Sequence, residues 1–158
     1  MAGALLVGSV LGVAGAPAAW PAGEPRCSFA ANLLLDPGLS STPSSGTYET
    51  EGGESGRYSC GGPFGSERTG KAALEGRYGT TDTDSCAEGG EGEGTLRLGG
   101  GSGDFTFTYS EFSADGVARG EFHGDRFEGT FTLTARDGEC ALARVTRMRL
   151  EGEGTIRP

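Results

Sequence analysis

The sequence predicts an all-β fold: an antiparallel up-and-down meander of about eight strands, closed into a small barrel. Three observations predict it. Glycine supplies 31 of 158 residues, and a glycine inside a helix costs about 1 kcal/mol relative to alanine, so long helices are disfavoured. Apolar and polar residues alternate with period two along most of the chain after residue 26, as in half-buried strands. Glycine-acid pairs at Asp115-Gly116, Gly124-Asp125 and Asp137-Gly138 punctuate that alternation as hairpin turns. A two-sheet β-sandwich is the alternative; the absence of long crossover connections favours the barrel.

The first residues address compartment. Ala4 to Ala16 are apolar or small, and Ala16 and Ala18 suit the small-residue positions of a signal-peptidase site. Residues 1–18 are therefore expected to be a signal peptide, 19–26 a mature tail and 27–158 a single β-barrel domain. No Lys or Arg precedes the apolar run, which is also too short for the roughly 20 residues of a transmembrane anchor. Cys27 follows Glu24-Pro25-Arg26, unlike a lipoprotein processing site.

Eight strands are expected at 27–35, 46–60, 67–78, 88–98, 104–113, 117–123, 126–136 and 140–157. In the last, Met148, Leu150, Gly152, Gly154 and Ile156 share one face, while Arg147, Arg149, Glu151, Glu153, Thr155 and Arg157 share the other. Glu91-Gly92-Glu93-Gly94-Thr95-Leu96-Arg97 repeats the pattern of Glu151-Gly152-Glu153-Gly154-Thr155-Ile156-Arg157. Inward glycines leave room for large side chains from facing strands. A two-residue turn at Gly124-Asp125 pairs Phe122 with Phe127, Gly120 with Gly129, and Ala118 with Phe131. A type I′ turn at Asp137-Gly138 pairs Ala135 with Cys140 and Leu133 with Leu142. Phe105, Phe107 and Tyr109 alternate, but Phe112 falls out of phase, which predicts a β-bulge near Ser110 or Glu111.

Cys27, Cys60, Cys86 and Cys140 are an even set in a chain read as exported, which implies two disulfides rather than zinc, whose sites need closely spaced pairs. Strand parity puts Cys27 and Cys60 at one end of the meander and Cys86 and Cys140 at the other, predicting Cys27–Cys60 and Cys86–Cys140. The second pair requires the Thr80–Ala87 loop to fold over the barrel mouth.

Composition excludes some functions. A net charge of −9 opposes nucleic-acid binding, which needs clustered cations. His123, the only histidine, sits beside a turn on the polar face without a nucleophile to activate, so it reads as a surface histidine rather than a general base. Asp82-Thr83-Asp84-Ser85 and the acids Glu88, Glu91 and Glu93 offer oxygen ligands but lack the remainder of an EF-hand, so they read as an acidic exposed loop. Gly99-Gly100-Gly101-Ser102-Gly103 lacks the Lys-Ser/Thr of a phosphate loop and reads as a hairpin connection. No catalytic, metal or cofactor site is expected. Arg144 and Thr146 fall on the inward face if alternation is strict from Leu142 to Ile156. A buried arginine needs a partner, either an acid such as Glu111 or an anionic ligand; a bulge would instead turn Arg144 outward. Arg144, Thr146, Glu111 and Tyr109 are the candidate ligand-binding residues.

Phe127-Glu128-Gly129-Thr130-Phe131, Gly138-Glu139-Cys140 and Gly152-Glu153-Gly154-Thr155 together resemble small exported β-barrel proteins of GC-rich Gram-positive bacteria. The resemblance implies a fold and export, not an activity. Lipocalins, with a Gly-x-Trp near the first strand, and avidin-like barrels, with tryptophan-lined pockets, fit poorly, because Trp20 is the only tryptophan. The leading expectation is a non-enzymatic secreted barrel that binds a small ligand or an envelope or protein partner. A cofactor-free isomerase or cyclase using Arg144, Glu111 and Tyr109 is the second, and a structural exoprotein the third. A large interior cavity reaching Arg144 would favour the first two; an interior filled by Phe and Leu would favour the third.

Overall fold

The computed structural model describes residues 25–62, 65–81, 84–100, 103–114 and 117–157. The expected signal peptide, the tail up to residue 24, and the turn at Asp115-Gly116 lie outside them. Among the described residues there is no helix, and nine strands follow one another: β1 (Arg26–Leu39), β2 (Gly46–Thr50), β3 (Gly56–Gly62), β4 (Gly65–Tyr78), β5 (Glu91–Leu98), β6 (Gly103–Ala114), β7 (Val117–His123), β8 (Phe127–Ala135) and β9 (Val145–Ile156). All neighbours are antiparallel, and β9 returns to pair with β1, closing an eight-strand barrel plus one extra strand. The extra strand arises from an interruption. β2 pairs with Leu33–Asp36 of β1 and β3 with Arg26–Ala30, and both also pair with β4. β2 and β3 thus share one barrel position, the expected strand 46–60, broken at residues 51–55 where Gly52 and Gly53 take positive φ.

Closure gives the barrel two ends. The base holds the start of β1 and the β7–β8 connection; the mouth holds segments 40–45, 79–81, 84–90 and 136–144. Phe29, Phe105, Phe107, Phe122 and Phe127 form the core toward the base, with ring centroids 5.5 Å apart for Phe29 and Phe122 and 4.9 Å for Phe107 and Phe122. Inward glycines make room for aromatic rings along the barrel. A Cβ on Gly152 would lie 2.4 Å from the Phe29 ring, one on Gly120 2.5 Å from Phe131, and one on Gly94 2.1 Å from the Tyr48 hydroxyl. An alanine at any of these positions overpacks the core. Outside, charges pair across strands: Arg77 with Glu93, Arg97 with Glu75, and Arg157 with Glu128. Each such exposed pair contributes about 1 kcal/mol or less.

Several expected registers are corrected. Phe122 lies opposite Gly129, Gly120 opposite Phe131, and Ala118 opposite Leu133, a slip of two residues from the two-residue turn. A slip of two keeps every side chain on its face, so alternation does not detect it; seating each phenylalanine beside a glycine decides it. Gly124 is required by close approach, since a Cβ there would lie 2.3 Å from the Thr106 carbonyl oxygen. The Asp137-Gly138 hairpin does not form: Ala135 faces Met148, Leu133 faces Leu150, and Leu142 is 81% exposed. Asp137 instead accepts hydrogen bonds from the amides of Thr146 and Arg147 and from the Thr146 hydroxyl, closing residues 136–144 into a loop. Burial opposes the Asp137 charge, but those donors and the Arg147 cation outweigh it and lower the carboxyl below its ordinary value.

Both disulfides join the pairs that strand parity predicts. Cys27 and Cys60 are directly opposite in the β1–β3 ladder. Cys86 and Cys140 join two mouth loops across a Cα separation of 5.7 Å. Two disulfides fit an oxidising, extracellular environment.

Candidate functional site

The mouth is where this barrel departs from a filled interior. Segment 84–90 crosses it, held at four places. The Asp84 and Ser44 amides and carbonyls bond reciprocally at 2.8 Å, and the Cys86 amide donates to the Ser40 carbonyl. The Glu111 and Ser113 amides of β6 donate to the carbonyls of Gly90 and Glu88, and Cys86 is bonded to Cys140. Gly90 allows the close packing, because a Cβ there would lie 2.7 Å from the Asp84 carboxyl carbon. The acidic loop is therefore not simply exposed: Asp84 is 1% exposed and points into the barrel. Asp82 and Thr83 lie outside the described residues.

Opposite this strap, β6 runs without a bulge from Thr108↔His123 to Ala114↔Val117. The expected bulge near Ser110 or Glu111 is absent, so strict alternation carries Phe105, Phe107, Tyr109 and Glu111 inward and leaves Phe112 60% exposed. An apolar residue has been placed outside and an acid inside, the reverse of what hydrophobicity alone assigns.

Two adjoining spaces share Glu111 as a wall. The outer is a cavity of about 400 Å³, walled by Leu39, Ala118, Ala135, Val145, Met148 and the Cys86–Cys140 bridge. The inner chamber, about 30 Å³, lies among Tyr48, Tyr78, Asp84, Tyr109 and aliphatic side chains. Leu39, Glu111 and Met148 line both. Tyr109 packs edge-on against Tyr48 at 6.1 Å and against Phe131 at 5.8 Å. The Tyr48 hydroxyl donates to the Glu93 carbonyl.

The electrostatics follow from burial, with no cation acting on either carboxyl. Burial, and then the nearby Asp84, push the Glu111 carboxyl up to about 8. Burial pushes Asp84 up to about 6, with the neighbouring Ser85 amide pulling the other way. Glu111 Oε2 and both Asp84 carboxylate oxygens lack a well-formed hydrogen bond among the described residues. Burial also raises the phenols of Tyr48, Tyr109 and Tyr78, which stay neutral through neutral pH. This arrangement accepts hydrogen bonds from a guest when ionised, and exchanges a proton with one near neutral pH.

Of the sequence candidates, Glu111 and Tyr109 come together in this site, while Arg144 and Thr146 do not. Val145 and Met148 are both buried, so β9 changes phase between them, and its ladder with β1 slips between Leu34 and Leu39. Arg144 stays outside, its guanidinium donating to the Gly38 carbonyl at 2.9 Å, and Thr146 serves Asp137. The large cavity reaching Arg144 is replaced by one reaching Glu111. His123 is exposed, 3.4 Å from Glu121, and takes no part. Asp84 is the residue the sequence reading missed, together with Tyr78 and Tyr48. The available signal was position: Asp84 lies two residues before Cys86, in the loop already required to cross the mouth. No family model, curated protein or solved structure matches this chain.

Proposed function

We propose that this chain is a secreted, disulfide-stapled barrel that binds a small ligand in its mouth, without catalysing a reaction. One observation carries the reading. In a barrel otherwise filled by rings and aliphatic chains, two buried carboxyls share the inner chamber with no cation or side-chain donor assigned to them, and Glu111 also lines the adjoining apolar-walled cavity. Buried acids in an apolar wall disfavour the folded state unless something pairs with them, and a few convergent polar groups in an apolar hollow are the usual make-up of a ligand site. The signal-like segment before residue 18 and the two disulfides support export.

Amide chemical-shift mapping of the full-length secreted product against a library of small amphiphiles tests this reading. Shifts should concentrate on Leu39, Glu111, Ala118, Val145 and Met148; shifts scattered over the outer faces, or none, overturn it. A cofactor-free isomerase or cyclase is favoured by one feature, the Glu111 acid that remains protonated near neutral pH beside Tyr109. It no longer has Arg144 inside the barrel. A chemically altered ligand recovered after prolonged incubation would decide for the enzyme.

A further inference from the structure

The chemical class of the guest can be argued from the donors and acceptors that face the two spaces. Asp84 and Glu111 line the inner chamber, and Glu111 and Glu139 the outer one. Among the described residues, no Lys, Arg or His lines either. Asp84 is 1% exposed, with neither carboxylate oxygen in a well-formed hydrogen bond, and Glu111 Oε2 is buried in the same condition. Of the three phenols on the inner chamber, the Tyr48 hydroxyl is turned to the Glu93 carbonyl, and the buried Tyr78 hydroxyl has no well-formed partner among the described residues. Ionised carboxylates only accept hydrogen bonds, and the neutral phenols of Tyr78 and Tyr109 offer at most one donor each and no charge, so the site suits a guest that brings further donors and a positive charge to offset the burial of the acids.

Size narrows the class further. The inner chamber, at about 30 Å³, has room for a group on the scale of one or two ordered waters. A primary ammonium group is of that size; a planar guanidinium or a quaternary ammonium is larger. The outer cavity, about 400 Å³ and walled largely by Leu39, Ala118, Ala135, Val145 and Met148, matches a short hydrocarbon chain. We propose that the mouth takes a primary alkylamine, with its ammonium seated between Asp84 and Glu111 and its chain in the outer cavity. This assignment rests on the reading of the mouth as a ligand site. The other titratable groups facing the acid pair are Tyr48 on β2, Tyr78 on β4 and Tyr109 on β6, with Asp36 and Arg144 acting on Tyr78.

Isothermal titration of the disulfide-intact protein with hexylamine, hexanol, hexanoate and tetramethylammonium tests the assignment. Hexylamine should bind at least tenfold more tightly than hexanol, with hexanoate and tetramethylammonium inert. Its affinity should rise between pH 6 and pH 9, as the carboxyls ionise while the alkylammonium, titrating near 10 as lysine does, keeps its charge. Glu111→Gln and Asp84→Asn should each weaken hexylamine about tenfold and hexanol by much less, since hexanol loses a hydrogen bond but no charge pairing. Circular dichroism reports whether each variant folds, and the four-ligand series stands if Asp84→Asn does not. Hexanol binding as tightly as hexylamine, at the mouth and indifferent to Glu111→Gln, overturns the amine but keeps the ligand site. Calcium binding with hexylamine inert also overturns the amine. No binding by any of the four, or binding mapped away from the mouth, overturns both.

Discussion

The two ends of the barrel are built from the same strands and solve opposite problems. At the base, Phe29, Phe105, Phe107, Phe122 and Phe127 interlock over inward glycines, and the staple joins directly opposed residues of adjacent strands. At the mouth, the staple joins two loops, and the enclosed side chains include two carboxyls and three phenols. The base is a core whose free energy comes from apolar burial. The mouth encloses ionisable groups that oppose folding when charged. The difference teaches that stability and chemistry are separated along the barrel axis.

The largest break in that comparison should come from the base. Phe127→Ala deletes a ring that is 2% exposed and lines neither mouth space. It should lower unfolding free energy by about 3–5 kcal/mol in urea titration, while ligand contacts at the mouth persist in the folded fraction. Replacing Cys86 and Cys140 together by serine should cost about 2–4 kcal/mol through the freed unfolded chain. Its local signature distinguishes it: hydrogen exchange should speed up at the Ser41 and Cys86 amides, which bond across the mouth, and not in the β1–β3 ladder.

The third prediction concerns pH and has a smaller amplitude. Glu111 and Asp84 have folded pKa values raised to about 8 and about 6 from ordinary values of 4.5 and 3.8. Between the ordinary and the raised value the folded state holds more protons than the unfolded one. Stability therefore falls as pH rises through roughly 4 to 8 and levels off above the folded pKa. Glu111→Gln should flatten the upper part of that decline, by on the order of 2 kcal/mol at pH 8, read from unfolding titrations between pH 5 and pH 9. An unchanged slope would mean that Glu111 is hydrated rather than enclosed.

Much of the base could be read in advance, because its signals are local. The glycine-charge repeat at residues 151–157 specifies which face turns inward, and its inward glycines already imply the rings of Phe29 and Phe127 beside them. The mouth was less legible. Glu111 was an inward candidate only as a partner for Arg144, and the bulge expected from Phe112 does not form. Asp84 looks like any solvated acid in sequence, since its burial depends on a loop docking onto Ser44, Ser40 and β6.

The sequence by itself determined the all-β class, the meander, the facing of most strand residues and, through strand parity, which cysteines share an end. Those properties follow from period two and turn position, both carried by neighbouring residues. Only the tertiary structure decided the β7–β8 and β8–β9 registers, the outward Arg144 and the enclosure of Asp84 with Glu111. Registers that differ by an even number of residues present identical faces. Choosing among them takes the fit of particular rings against particular glycines, and bringing two acids together takes closure of the whole barrel.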